Sequence, residues 1–393
     1  MKTSTRHLNI VSAGGRPFFR KLFVSGGIDW VLFLSTIPLL VGGLVTMRAL
    51  GAGDNYFFFR QIIWIFVSFF LFFLFSFVDW RFLRRGELLI IFFAGAVSIL
   101  VFLLVAGKTV KGAASWISLP FFAVEPSDPI KLIVILVLAK YFSRRHIEIA
   151  RVRHIIVSGI YVLIPAILIF FQPDFGSALI FFMIWLGMIM VSGVNKKHLL
   201  IVFLVFALIF SVSWFFVFQP YQKNRVLTFL HPLKDVRGAG YNAYQSMIAV
   251  GSGRIFGKGI GFGTQSRLEF LPEHQTDFIF AAFAEEWGLV GVFFIFVFFG
   301  IVFWRILKNA FLGQSNFESF FGFGLAILLM AHFIVNIGMN IGLLPITGTT
   351  LPFMSYGGSH MITIFAGLGI LMGMRRYSRS VHREDATAEF LGM

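Results

Sequence analysis

Long apolar runs separated by short polar, basic connections dominate the chain. A helix that crosses a bilayer needs roughly 20 mostly apolar residues. Ten runs are candidates: about 28–47, 60–78, 88–106, 129–142, 155–171, 176–193, 199–218, 278–304, 317–344 and 361–376. The fourth is short and has Pro126 and Pro129 at its mouth, where a missing N–H leaves nothing unpaired. The one substantial segment outside the runs is 219–277. The pattern predicts an all-α polytopic membrane protein with ten transmembrane helices and a large loop between helices 7 and 8.

Composition excludes the alternatives. The 393 residues are 58% hydrophobic and 13% charged, with 54 Phe and a mean hydropathy of +0.86. One or two soluble cores could not hide so much apolar surface. A soluble enzyme, a disordered chain and a fibrous repeat are therefore ruled out. Cys is absent, so disulfides, thiolate metal sites and a cysteine nucleophile are excluded. The first 27 residues are polar and basic and are not read as a cleavable signal peptide.

The net charge of +15 is explained by its placement. With the N-terminus inside, Lys and Arg are about twice as frequent in inner as in outer connections, which is the usual cytoplasmic bias. This predicts a cytoplasmic segment 1–27, a transmembrane domain 28–376 and a cytoplasmic tail 377–393, with 219–277 extracytoplasmic. The charge then faces an anionic leaflet, and nucleic acid is not a partner.

Chemistry is sought among the polar residues that interrupt this pattern. In 219–277 a Gly-rich stretch runs from Gly251 to Gly263. Glycines at this spacing allow close backbone approach or an N–H cradle for phosphate, and a tight re-entrant loop is the plainer reading. Asp277 stands at the mouth of the eighth run. It is either a first-turn acid in a helix capped by Thr276 or a partly desolvated carboxylate able to take a proton. Glu285 and Glu286 lie inside that run, where ionisable groups are costly and mostly functional or paired. Glu125, Asp128 and Lys131 open the fourth run, and the last two share a helix face. Asp174 lies between runs five and six, and Arg48, Arg60 and Gln61 flank the first outer connection. Snorkelling or local pairing would account for each separately. Together they map to the outer half of the membrane, and such a cluster suits an anionic, lipid-linked substrate.

The motifs resemble those of the SEDS family (shape, elongation, division and sporulation proteins: RodA, FtsW, SpoVE) over nearly the whole chain. They are Glu125-Pro-Ser-Asp128 with Lys131, Gln172-Pro-Asp-Phe-Gly-Ser-Ala178, Gly240-Tyr-Asn-Ala-Tyr-Gln-Ser246, Gly257-Lys-Gly259, Gly263-Thr-Gln-Ser266, Leu271-Pro-Glu273, Thr276-Asp-Phe-Ile-Phe280, Gly342-Leu-Leu-Pro345 and Leu351-Pro-Phe-Met-Ser-Tyr-Gly-Gly-Ser359. The versions at 263–266 and 270–273 are closest to the RodA branch. The chain departs where the family usually reads Gln-Pro-Ser-Glu, where Ser115-Trp116 replaces Arg-Trp, and where His274 and Gln275 are in reversed order.

The resemblance implies a peptidoglycan glycosyltransferase of the bacterial cytoplasmic membrane. It would polymerise lipid II beside a class B penicillin-binding protein, for cell elongation and rod shape. Such a reaction needs a base near the acceptor hydroxyl and positive charge near the departing diphosphate. Asp277 is assigned as the base. Lys131, Arg48, Arg60 and Lys258 are assigned to the diphosphate, and Glu273, Gln265 and Ser266 to substrate binding. Asp128 and Asp174 would hold the cations or bind a divalent ion (Mg2+ or Mn2+). A Phe-rich ridge at Phe293, Phe294, Phe296, Phe298 and Phe299, with Gly322 and Gly324, is the expected docking region for the partner's transmembrane helix. A lipid II flippase and a non-catalytic scaffold of the penicillin-binding protein are the rival readings.

Overall fold

The computed structural model describes residues 27–50, 55–106, 108–110, 113–118, 123–145, 152–230, 240–268 and 270–391. The N-terminal segment 1–26 and parts of 219–277 (231–239 and 269) lie outside the described residues. Each of the ten apolar runs coincides with a helix, because only a helix satisfies its own backbone in hydrocarbon. They are α1 (Trp30–Leu50), α2 (Tyr56–Phe77), α3 (Gly86–Ala106), α4 (Ser127–Arg145), α5 (Val152–Phe171), α6 (Phe175–Val191) and α7 (Lys196–Phe216). After three helices within the long connection come α11 (Ile279–Phe311), α12 (Asn316–Asn340) and α13 (Gly358–Leu391). Among the described residues, 7 helices are long and apolar enough to span by length and composition alone. Helix α6 has 17 residues, while α4 carries Asp128 and Lys131 in an apolar run.

Two expectations need correction. The chain is not wholly helical: β1 (Lys108–Val110), β2 (Ala113–Ser118) and β3 (Ala123–Val124) form an antiparallel sheet between α3 and α4, with Lys108 opposite Trp116 and Ile117 opposite Val124. The 219–277 segment is not simply a loop. It holds α8 (Pro220–Leu230), α9 (Tyr241–Ser252) and the single turn α10 (Thr264–Arg267), and α9 packs on α11 and α12.

Helix α12 is the axis of the bundle, flanked by α4, α6, α11 and α13. Its most apolar window is 72% buried, against 0% for α7, which stands at the periphery. At the end of the bundle opposite 219–277, Asp29 Oδ2 ties three helices together. It accepts hydrogen bonds from Arg305 Nε (2.9 Å) and Asn309 Nδ2 (3.0 Å) and pairs with Arg375 (2.8 Å).

Candidate active site

Helix α11 is broken at Gly288, whose φ of 64° and ψ of −165° are open only to glycine. The break strips the carbonyls of Glu285 and Glu286 of helical donors, which apolar surroundings make expensive. The Gly-rich stretch supplies the replacements. The N–H groups of Lys258 and Gly259 donate to those carbonyls (2.9 and 3.0 Å), and Leu289 and Val290 donate back to the carbonyls of Arg254 and Ile255 (2.9 and 3.1 Å). Gly257 has φ +78°, and a Cβ there would strike the Glu286 and Trp287 backbone. The stretch is thus a re-entrant loop that completes a broken membrane helix, and the N–H groups of Gly257, Lys258, Gly259, Gly261 and Phe262 are spent on protein.

The buried Glu285 carboxylate organises the far side of this loop. It pairs with Lys258 Nζ (2.7 Å) and accepts from Gln265 N (3.0 Å), Ser266 N (3.3 Å), Ser266 Oγ (3.1 Å) and Thr264 Oγ1 (3.2 Å). Lys258 and Ser266, expected to hold substrate, therefore converge with the Gln265 backbone on Glu285. The Gln265 side-chain oxygen has no hydrogen-bond partner among the described residues. Glu273 sits exposed with φ 54° and accepts from the Thr276 hydroxyl (3.0 Å).

Asp277 is positioned from α12. His332, Asn336 and Asn340 recur every four residues and so share one face of that helix. Asn336 and Asn340 both donate to the Asp277 carbonyl (2.9 and 3.1 Å), while Asn340 Oδ1 accepts from Ala281 N–H (3.2 Å). The first turn of α11 is capped by Asn340 from a neighbouring helix, not by Thr276, the capping alternative read from the sequence. Asn336 also donates to the Thr349 carbonyl (2.7 Å), and Ser355 Oγ to that of Thr276 (2.7 Å). Clamped by its backbone, Asp277 remains half-buried, with its carboxylate beside Gly348.

The same face of α12 reaches the second cluster. Lys131 Nζ bonds Asp128 Oδ1 at 3.0 Å and lies 3.5 Å from His332 Nε2, while His332 Nδ1 faces the Thr350 carbonyl at 3.3 Å. Asp128 also accepts from Ser359 Oγ (3.1 Å) and meets His360 Nδ1 at 3.4 Å. The pair is therefore real, and it is buried rather than snorkelling. Glu125, just before α4, accepts from Ser127 Oγ (2.5 Å) and Ser177 Oγ (3.2 Å). Burial, with the charges of Asp128 and Asp174 nearby, pushes its carboxyl up to about 8.

The remaining assignments have partners of their own. Asp174 caps α6 by accepting from Ser177 N (2.9 Å). Arg48 and Arg60 lie over neighbouring rings, Phe58 at 5.4 Å and Tyr56 at 4.4 Å. Asp128 and Asp174, expected as ligands of a divalent ion, are held respectively by Lys131, Ser359 and His360 and by the α6 cap. Sequence reading missed His332, Asn336, Asn340 and His360. The i, i+4, i+8 polar spacing in an apolar run was the legible signal for the first three.

A family model described as a cell cycle protein, covering FtsW, RodA and SpoVE, matches residues 28–380. The FtsW of Wigglesworthia glossinidia brevipalpis, described as a probable peptidoglycan glycosyltransferase, is 35% identical over 356 residues, 88% of this chain and 92% of its own. The peptidoglycan glycosyltransferase MrdB of Escherichia coli K12 is 36% identical over 289 residues, 72% of this chain and 78% of its own. A solved chain from a peptidoglycan synthase complex superposes with a TM-score of 0.76 at 30% identity, covering 89% of this chain and 98% of that one. The chain belongs to the FtsW, RodA and SpoVE family, and is a multi-pass glycosyltransferase of the bacterial inner membrane.

Proposed function

We propose that this chain polymerises lipid II at the outer face of the cytoplasmic membrane. The acceptor sugar's 4-hydroxyl attacks the donor's anomeric carbon, a C–O bond forms, and the bond to undecaprenyl diphosphate breaks. Asp277 takes the hydroxyl proton. Lys131, oriented by Asp128, lends positive charge where the diphosphate departs. Lipid tails hold both substrates at the membrane surface, which supplies orientation. One observation carries this reading: His332 and Asn336, one turn apart on α12, bond to Thr350 and Thr349 and so bring the Lys131–Asp128 pair and Asp277 to one end of the bundle.

The ten helices are taken as ten spans with both termini cytoplasmic, supported by the Lys/Arg distribution. The Gly263-Thr-Gln-Ser266 and Leu271-Pro-Glu273 motifs favour an elongation role like that of RodA. A class B penicillin-binding protein is the proposed partner, since a similar chain is found in a complex that couples polymerization to crosslinking. Its helix would dock on Phe293, Phe294 and Phe296, which are exposed on α11. Gly322 and Gly324, expected beside them, instead pack inward against Ala310 and Ile135.

The buried ion pair also fits a flippase. Purified protein given lipid II in detergent separates the two readings, because flipping has no meaning in a micelle. Glycan polymer is expected. Its absence from folded protein with the partner present would refute polymerisation.

A further inference from the structure

The donors around Lys131 are of a kind that a metal ion also uses. Asp128, His332 and His360 come from three different helices, and one ligand atom from each lies within 4.8 Å of the others. The two imidazoles face each other with ring centroids 4.4 Å apart. The Thr350 carbonyl can only accept, so His332 carries its proton on Nδ1 and turns the Nε2 lone pair inward. A carbonyl behind a histidine in this way is the usual support of a metal-binding imidazole. Ser359 Oγ steadies the Asp128 carboxylate from the other side.

His360 supplies the independent sign. It is only 7% exposed, and its Nε2 has no hydrogen-bond partner among the described residues. A buried imidazole nitrogen without a partner is costly, and it is relieved by a proton or, with the ring turned so that Nε2 rather than Nδ1 meets the Asp128 carboxylate, by a metal–nitrogen bond. Two imidazoles and one carboxylate suit zinc and its neighbours, whereas magnesium favours oxygen alone.

At present the Lys131 ammonium holds this position, 3.0 Å from Asp128 and 3.5 Å from His332. We propose that Asp128, His332 and His360 form a binding site for a zinc-class divalent ion, which competes with the Lys131 ammonium for the same donors. Bonds of about 2.0–2.2 Å require the three ligand atoms to close by roughly 1 Å. Binding expels the ammonium from Asp128, either by moving the side chain or by releasing its proton to water. No other bond forms or breaks. On the reading that Lys131 serves the diphosphate, the ion is an inhibitor, but the site itself does not depend on that reading.

The test uses full-length protein in detergent, where the Cys-free chain offers no thiolate background. Zn2+ binding is measured by calorimetry, and Co2+ is used as an absorbing probe of ligand geometry. One ion per chain is expected, with cobalt bands of low-symmetry nitrogen and oxygen ligation. His332→Gln and His360→Gln should each weaken binding at least tenfold. Lys131→Met should tighten it at least tenfold, because the competing charge is gone. Since that variant gains affinity, misfolding cannot mimic the result. Unchanged affinity in Lys131→Met, or full binding in both histidine variants, would overturn the proposal. Zinc binding in a protein that makes no polymer would leave the site standing and refute only the proposed function.

Discussion

Asp277→Asn separates a reacting carboxylate from a structural one. The substitution keeps the size of the side chain and its ability to accept a hydrogen bond, and it removes the charge and nearly all basicity. Two features of the fold limit the structural cost. Residue 277 is held through its backbone carbonyl by Asn336 and Asn340, and the first turn of α11 is capped by Asn340 rather than by Asp277. The favourable placement of a negative charge near a helix N-terminus is worth a few tenths to about 1 kcal/mol. A positioned general base contributes about 10²–10⁴-fold, or roughly 3–5 kcal/mol of barrier. The two readings therefore differ by several kcal/mol. The assay is the initial rate of glycan polymer formation at saturating lipid II with the partner present, alongside the thermal midpoint in the same detergent. A rate loss of at least 10²-fold with a nearly unchanged midpoint is expected. Near-normal polymerisation would remove Asp277 from the chemistry and turn attention to Glu273.

Three further outcomes are expected. Lys131→Ala leaves the buried Asp128 carboxylate without its cation, a loss of about 3–5 kcal/mol where both partners are desolvated; Asp128→Asn, which keeps an acceptor toward Lys131, should spare more stability while still reducing polymerisation, and full activity in both would return the pair to a packing role. Glu285→Gln removes the anion that gathers Lys258, Thr264 and Ser266, so a stability loss of about 1–3 kcal/mol is expected, read as a lower thermal midpoint and earlier proteolysis near 253–268; an unchanged midpoint would mean that the loop is held by its backbone bonds alone. Glu125 holds its proton up to about pH 8, above the ordinary carboxyl value of 4.5. Its contribution to stability is therefore complete below pH 4.5 and is lost progressively as pH rises from there through about 8, so Glu125→Gln should flatten the fall in thermal midpoint between pH 5 and 8, and superimposable profiles would exclude Glu125 as the titrating group.

Periodicity and hydropathy carried the ten helices because each run must satisfy its own backbone, whatever packs beside it. They could not carry Gly288. A glycine within an apolar run reads as a tolerated helix residue, and its break is stable only because residues 253–259, distant in sequence, return to fill it. The same limit applies to the site. Asp128 and Lys131 were legible as a pair because they are three residues apart in one helix. Lys258 and Ser266 were legible as polar residues near a surface, but their common partner, Glu285, lies 19 or more positions away. His360 gave no periodic signal, since it falls in the first turn of α13 beside Ser359.

The degree to which each buried charge is satisfied distinguishes scaffolding from chemistry here. Glu285 has its charge matched by Lys258 and its oxygens surrounded by backbone and hydroxyl donors. A carboxylate so saturated has little basicity left and cannot turn towards a substrate without abandoning the loop. Asp277 is held differently: two asparagines fix its backbone, and its side chain is half-buried at the mouth of α11. A fixed main chain positions the side chain at little reorganisation cost, which the base proposed at Asp277 requires. Lys131 lies between these extremes. It is buried and paired with one carboxylate, and its second neighbour, His332, is a neutral acceptor at 3.5 Å rather than another anion. An ammonium held that loosely on one side can still answer to an incoming anion, or be displaced by a metal ion. The polar face of α12 serves both arrangements, because His332 lies beside Lys131 while Asn336 and Asn340 hold the Asp277 main chain.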